Sequence, residues 1–195
     1  MSIYWFTGQP ASGKTTLVNN LLTHFGKDNT IIIDGDDLRD IFQNKDYSEV
    51  GRRKNIERAQ DISQFLNKKG FTVLVSLVSP YKDQREDFKN REDVIEVYVH
   101  TTEDRGRNQF HVENYEPPTE NFIDLDTTDK TEVDSYYEIL KKFNLKATTQ
   151  HLIRLLCTIQ LFTNTRGSPA IAVHCLHACA FKCASQACSD NLSCI

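Results

Sequence analysis

The chain has 195 residues, 39% of them hydrophobic and 26% charged, enough to bury one sizeable core in water. No apolar run reaches the roughly 18 residues of a membrane span, and Met1-Ser2 leads straight into an apolar pattern without a basic, cleavable leader, so a cytoplasmic setting without a membrane partner is expected. The net charge of −4 divides into −7 over residues 1–145 and +3 over residues 146–195, and so acidic a first part excludes a binder of phosphate backbones, hence no nucleic-acid partner.

The first element is the β-prone run Ile3-Tyr4-Trp5-Phe6-Thr7. Directly behind it, residues 8–15 read Gly-Gln-Pro-Ala-Ser-Gly-Lys-Thr, a complete match to G-x-x-x-x-G-K-[ST]. A helical pattern with Leu17, Val18, Leu21 and Leu22 follows over residues 14–25, which completes the strand–loop–helix context that this motif requires. Gly8, Gln9, Pro10, Ala11, Ser12 and Gly13, with Lys14, Thr15 and Thr16, are therefore read as an ATP-binding phosphate loop. Gly8 and Gly13 free the backbone to curl its N–H groups toward phosphate. Lys14 neutralises the β- and γ-phosphates, and Thr15 offers its hydroxyl to Mg²⁺.

Ile31-Ile32-Ile33 marks a second strand, ending in Asp34-Gly35-Asp36-Asp37-Leu38-Arg39. Two carboxylates two residues apart at a strand end can divide labour: Asp34 on the metal, Asp36 accepting a proton from a substrate hydroxyl. Capping of a following helix is the alternative use of such residues. A long helix over residues 49–69 carries the stripe Arg52, Asn55, Ala59, Ile62 and Leu66, whose lower part is core and whose upper part opens toward a cleft. The run 71–78 reads as a third strand and ends in Ser79-Pro80-Tyr81; Ser79, Lys82 and Arg85 are candidates for the substrate side, with Ser79 equally placed to cap the next helix. A short charged helix over 81–91, a strand over 94–99, a polar stretch over 101–120, a strand over 122–125 and a helix over 131–143 complete the pattern. Near-continuous apolar strands separated by helices predict the α/β class, a P-loop NTPase fold whose parallel sheet carries helices on both faces.

Residues 146–195 differ in kind. All six cysteines, Cys157, Cys175, Cys179, Cys183, Cys188 and Cys194, lie there without a paired C-x-x-C knuckle, and neither a metal nor a disulfide framework is assigned. The expected organisation is a P-loop kinase domain over 1–145 and a Cys-rich tail without recognisable native structure over 146–195.

The motifs along 1–145 resemble the adenylylsulfate kinase family. Asp34-Gly35-Asp36-Asp37-Leu38-Arg39 matches its Asp-Gly-Asp-Asn-x-Arg with Asp for Asn. Gly51-Arg52-Arg53-Lys54-Asn55-Ile56-Glu57-Arg58 matches Asp-Arg-x-x-Asn-Ile-x-Arg without the leading Asp. Ser79-Pro80-Tyr81 and Tyr115-Glu116-Pro117-Pro118 match two further motifs. The resemblance implies an enzyme that uses ATP and Mg²⁺ to phosphorylate the 3′-hydroxyl of adenosine 5′-phosphosulfate (APS), for sulfate assimilation. It implies metal binding by Thr15 and Asp34, catalysis by Lys14, Asp34, Asp36 and Ser79, and substrate binding by Asp36, Arg39, Arg52, Asn55 and Ser79. Tyr47 falls where the family stacks a Phe on the substrate adenine. The family's Arg-Asp-x-Lys-Gly-Leu-Tyr lid and later Phe-Thr-Gly are absent, and the interval 101–114 offers Arg105 and Arg107 for ATP and Phe110 for the base. Small-molecule nucleotides are the expected partners, with a homodimer left open. A kinase of another nucleotide or small alcohol, and a nucleotide-binding module without transfer activity, stand as alternatives.

Overall fold

The computed structural model describes residues 2–145; the tail, with its six cysteines, lies outside the described residues. Five strands, β1 (Ile3–Thr7), β2 (Thr30–Asp34), β3 (Thr72–Ser76), β4 (Val94–His100) and β5 (Phe122–Asp126), form one wholly parallel sheet in the order β2-β3-β1-β4-β5. β1 sits at the centre, which is why both of its faces are apolar. Ile3 and Trp5 enter a core with Ile33, Val73 and Val75. On the opposite face the Tyr4 ring lies 5.0 Å from both Phe25 and Phe143.

Helices cover each face. α1 (Lys14–Phe25) and α5 (Glu132–Lys142) pack together, burying Leu17, Val18 and Leu21 from one and Tyr136, Ile139 and Leu140 from the other. α3 (Glu49–Lys68) and α4 (Lys82–Arg91) cover the Trp5 side with Ile56, Ala59 and Phe88. Their starts are fixed locally: Ser48 Oγ accepts from Gly51 N to cap α3, and Thr131 with Asp134 forms a reciprocal capping box on α5. The chain leaves β1 toward β2 and later returns past β1 to β4, so the strand order reverses between β1 and β3, and a ligand crevice belongs at their carboxyl ends.

Three local expectations need correction. A helix α2 (Gly35–Ile41), which the sequence suggested only through the capping alternative for the Asp34–Asp37 run, follows β2. Gly and Asp are poor helix formers, so periodicity gave no signal; Asp34 supplies the cap by accepting from Asp36 N, and buried Leu38 supplies the packing. β3 also stops at Ser76; beyond it the Val78 carbonyl is shared between the Thr7 hydroxyl at 2.8 Å and a long bond from Gly8 N at 3.4 Å. Lastly, Lys82 and Arg85 do not line the cleft at the carboxyl ends of the strands. Lys82 donates to Thr119 Oγ1 at 2.7 Å, and Arg85, 2% exposed, binds Glu96 at 2.7 Å and the carbonyls of Ser79 and Glu116. This guanidinium ties the end of β3 to the Tyr115-Glu116 segment, across the sheet from which Glu96 projects.

Replacing Arg85 with Met should lower stability by about 1.5–3 kcal/mol, since the buried Glu96 carboxylate would keep only Lys89 Nζ, at 2.7 Å, of its two cationic partners. Urea unfolding midpoints of the single variant and of Arg85→Met with Glu96→Gln check this, with the double variant the more stable of the two.

Candidate active site

The phosphate loop is shaped by backbone conformations that side chains resist. Gly8 has φ +146°, and a Cβ there would lie 2.0 Å from the Val99 carbonyl oxygen, so only glycine permits β1 to turn this close to β4. Ala11 at φ 64° and Gly13 at φ 98° complete the curl into the first turn of α1. Lys14 is buried, and its amine donates to the Gln9 carbonyl at 2.7 Å and to Ser12 Oγ at 3.3 Å. Burial pushes its pKa down to about 8, against the opposing pull of the Asp34 and Asp36 carboxylates.

Asp34 closes β2 with both oxygens engaged: Oδ1 takes Asp36 N at 2.9 Å and Oδ2 takes the Thr15 hydroxyl at 3.0 Å. Ser76 Oγ lies 3.1 Å from Thr15 Oγ1, placed there because Asp34 and Ser76 are register partners on adjacent strands. Hydroxyl and carboxylate oxygens clustered beside a phosphate loop are the hard donors that suit Mg²⁺.

These groups line one cleft of about 690 Å³ together with Asp36, Arg39, Tyr47, Arg52, Asn55 and Ser79. The Arg39 guanidinium sits 4.2 Å over the Tyr47 ring and the Arg52 guanidinium 5.6 Å from it. Arg39 is held by the Asn44 and Asp46 carbonyls, and Arg52 by the Tyr47 carbonyl at 2.8 Å. Asn55, 3% exposed, donates from Nδ2 to the Gly35 carbonyl, while its buried Oδ1 has no partner among the described residues. A buried acceptor left open in a cleft wall is costly unless a ligand supplies the donor. Ser79, at φ 40°, is buried and accepts from Trp5 Nε1 at 3.1 Å; it does not cap α4, whose N-cap is Tyr81 without a side-chain bond.

From the phosphate loop, Pro10, Ala11, Lys14 and Thr15 reach the cleft surface, whereas Gly8, Gln9, Ser12, Gly13 and Thr16 do not line it. The two lid arginines separate. Arg107 lines the cleft with Gln109, Phe110 and His111, but Arg105 stays outside it, donating to the Ala11 carbonyl at 3.3 Å, the Thr127 carbonyl at 2.8 Å and the Glu103 carboxylate. Ser76 and His111 were not foreseen. Register across β2 and β3 selects Ser76, and no local pattern marks it; His111 sits in a segment without periodicity.

The family model described as adenylylsulphate kinase matches residues 1–145. An adenylyl-sulfate kinase of Buchnera aphidicola subsp. Schizaphis graminum is 30% identical over 169 residues, which cover 80% of this chain and 78% of that one. One from Thermodesulfovibrio yellowstonii is 34% identical over 103 residues, covering 50% and 52% of the two chains. The structure of the Mycobacterium tuberculosis APS kinase CysC in complex with AMPPNP and APS matches with a TM-score of 0.61 at 23% identity, over 73% of this chain and 97% of that one, which shows a shared fold. The family match takes in every strand of the sheet and every cleft residue described above, and the chain belongs to the adenylylsulphate kinase family.

Proposed function

We propose that residues 1–145 form a kinase domain that moves the γ-phosphoryl group of ATP to the 3′-hydroxyl of adenosine 5′-phosphosulfate, yielding ADP and the 3′-phosphorylated product for sulfate assimilation. The supporting observation is that Arg39 and Arg52 converge on the exposed Tyr47 ring in the same cleft as Lys14 and Thr15. An aromatic face suits a purine, and two guanidinium groups beside it suit a phosphosulfate. The open Asn55 Oδ1 suits a ribose hydroxyl, which would satisfy its missing donor.

Thr15 Oγ1 and Asp34 Oδ2 would hold Mg²⁺, which would supply positive charge against the ATP phosphates. The chain's own groups do the rest. Lys14 leaves the Gln9 carbonyl and Ser12 hydroxyl for the ATP phosphates. Asp36 aligns the acceptor hydroxyl and takes its proton as the bond to the γ-phosphorus forms and the bond from that phosphorus to the bridging oxygen breaks, with the electron pair leaving on ADP. Arg107, in the cleft wall, supplies positive charge to the transferring group. Such catalysis is positioning and electrostatics, with little covalent work for the protein.

Release of ADP that depends on adenosine 5′-phosphosulfate, measured in a coupled assay beside other nucleotides and small alcohols, tests the reading; turnover with another acceptor and none with this one overturns it. Asp34→Asn should regain part of its activity as Mg²⁺ is raised. Asp36→Asn should stay down by about 10²–10⁴-fold at any Mg²⁺ concentration.

The lowered Lys14 pKa gives a pH signature. Only the ammonium form attracts phosphate, so the free protein loses its binding charge as pH rises through about 8, and nucleotide affinity falls above that pH. Bound phosphates restore the charge. Calorimetry of AMPPNP binding at alkaline pH, in buffers of different ionisation enthalpy, should therefore show net proton uptake, and Lys14→Met should abolish it.

A further inference from the structure

Gln9 occupies a position that the phosphate-loop pattern leaves open, and its side chain turns away from the cleft. Its Nε2 donates to the Val112 carbonyl at 2.8 Å, and its Oε1 accepts from Val112 N at 2.9 Å. One carboxamide thus satisfies both backbone groups of a single lid residue, much as a neighbouring strand would. Among side chains, only an amide presents donor and acceptor side by side in one plane without charge.

The same loop holds the lid at a second point, where Arg105 donates to the Ala11 carbonyl. Between these two anchors lie Arg107, Gln109, Phe110 and His111, the lid residues that line the cleft. The acceptor-facing part of the lid is therefore slung from the phosphate loop itself. Gln9 also meets the nucleotide's reporter, since its own carbonyl accepts from the Lys14 amine at 2.7 Å. When ATP draws that amine away, the residue that loses the contact is the one that holds the lid.

We propose that Gln9 is a positioning residue: its side chain latches the lid to the phosphate loop, so that Arg107, Phe110 and His111 are held over the acceptor, and phosphate occupancy is communicated to them through its backbone. The latch stands on geometry alone; its service to the acceptor rests on the kinase function proposed above. The ATP-binding role expected for Gln9 is accordingly narrowed to its main chain.

Val112 N–H reports the latch directly. In the full-length protein, Gln9→Met keeps the side-chain length and removes both hydrogen bonds. The Val112 amide should then exchange with solvent about tenfold faster or more, while amides of β1 and α1 keep their wild-type rates and certify the fold. Gln9→Glu, which retains the acceptor for Val112 N–H and loses the donor, should fall between. Unchanged Val112 protection in Gln9→Met overturns the latch whatever the acceptor proves to be. In steady-state kinetics the Gln9→Met variant should raise KM for adenosine 5′-phosphosulfate by about five- to tenfold, with a smaller rise for ATP. An equal or larger rise for ATP would mean that Gln9 merely shapes the phosphate loop, and would overturn the positioning role. A wild-type protein that ignores this acceptor would sink the proposed substrate and leave the Val112 result to decide the latch.

Discussion

The arrangement of the cleft depends on one carboxylate at the end of β2. Asp34 gives one oxygen to the backbone of Asp36 and the other to the Thr15 hydroxyl, while Ser76 stands beside Thr15 from the adjacent strand. It thereby caps α2, ties that helix to α1, and fixes the Thr15 edge of the phosphate loop against the parallel sheet. Asp36 and Arg39 ride on α2, so their distance from the phosphate loop is set by this tie. A side chain that could only cap, or only bind Thr15, would leave the phosphate-loop and α2 sides of the cleft free to drift apart.

Two buried cations show how differently the same sign of charge is used. Arg85 is paired with Glu96 and two carbonyls through its planar fork of donors, which suits a structural clamp. Lys14 is buried against a carbonyl and a hydroxyl, with carboxylates near enough to stabilise it only partly. It is poised for an anion that comes with the nucleotide. An arginine could not relax its desolvation by losing a proton, and so a lysine suits the cation proposed to meet phosphate and an arginine suits the cation holding the fold.

The departures from the family's sequence pattern have physical counterparts. Where the pattern has Asp, this chain has Gly51, and a Cβ at that position would lie 2.5 Å from Asp46 Cγ and 2.3 Å from the Asp46 carbonyl oxygen. The segment before α3 fills the space, and Asn44 Nδ2 donates to the Gly51 carbonyl to hold it there. Glycine at 51 is what lets this segment pack close and carry Tyr47 to the two arginines. The short lid is compensated by anchoring, with Gln9, Thr7 and Pro80 each bonded to residues 112–116.

The sequence by itself determined the strand–helix alternation and the phosphate loop, and its short motifs, read with the family resemblance, picked out Asp34, Asp36, Arg39, Arg52 and Asn55, which the structure brings to one cleft, because these patterns lie close along the chain. It did not determine α2, whose residues have weak helical propensity and whose cap and buried Leu38 act only once the sheet is assembled. Nor did it separate Arg105 from Arg107, or Arg85 from the substrate-side residues, since composition says that a cation is present and says nothing of which carboxylate or carbonyl will meet it. Ser76 beside Thr15, and Gln9 against Val112, are decided by strand register and by a lid returning over the loop. Those contacts join residues 61 and 103 positions apart, and only the tertiary structure brings such distant polar groups within hydrogen-bonding reach.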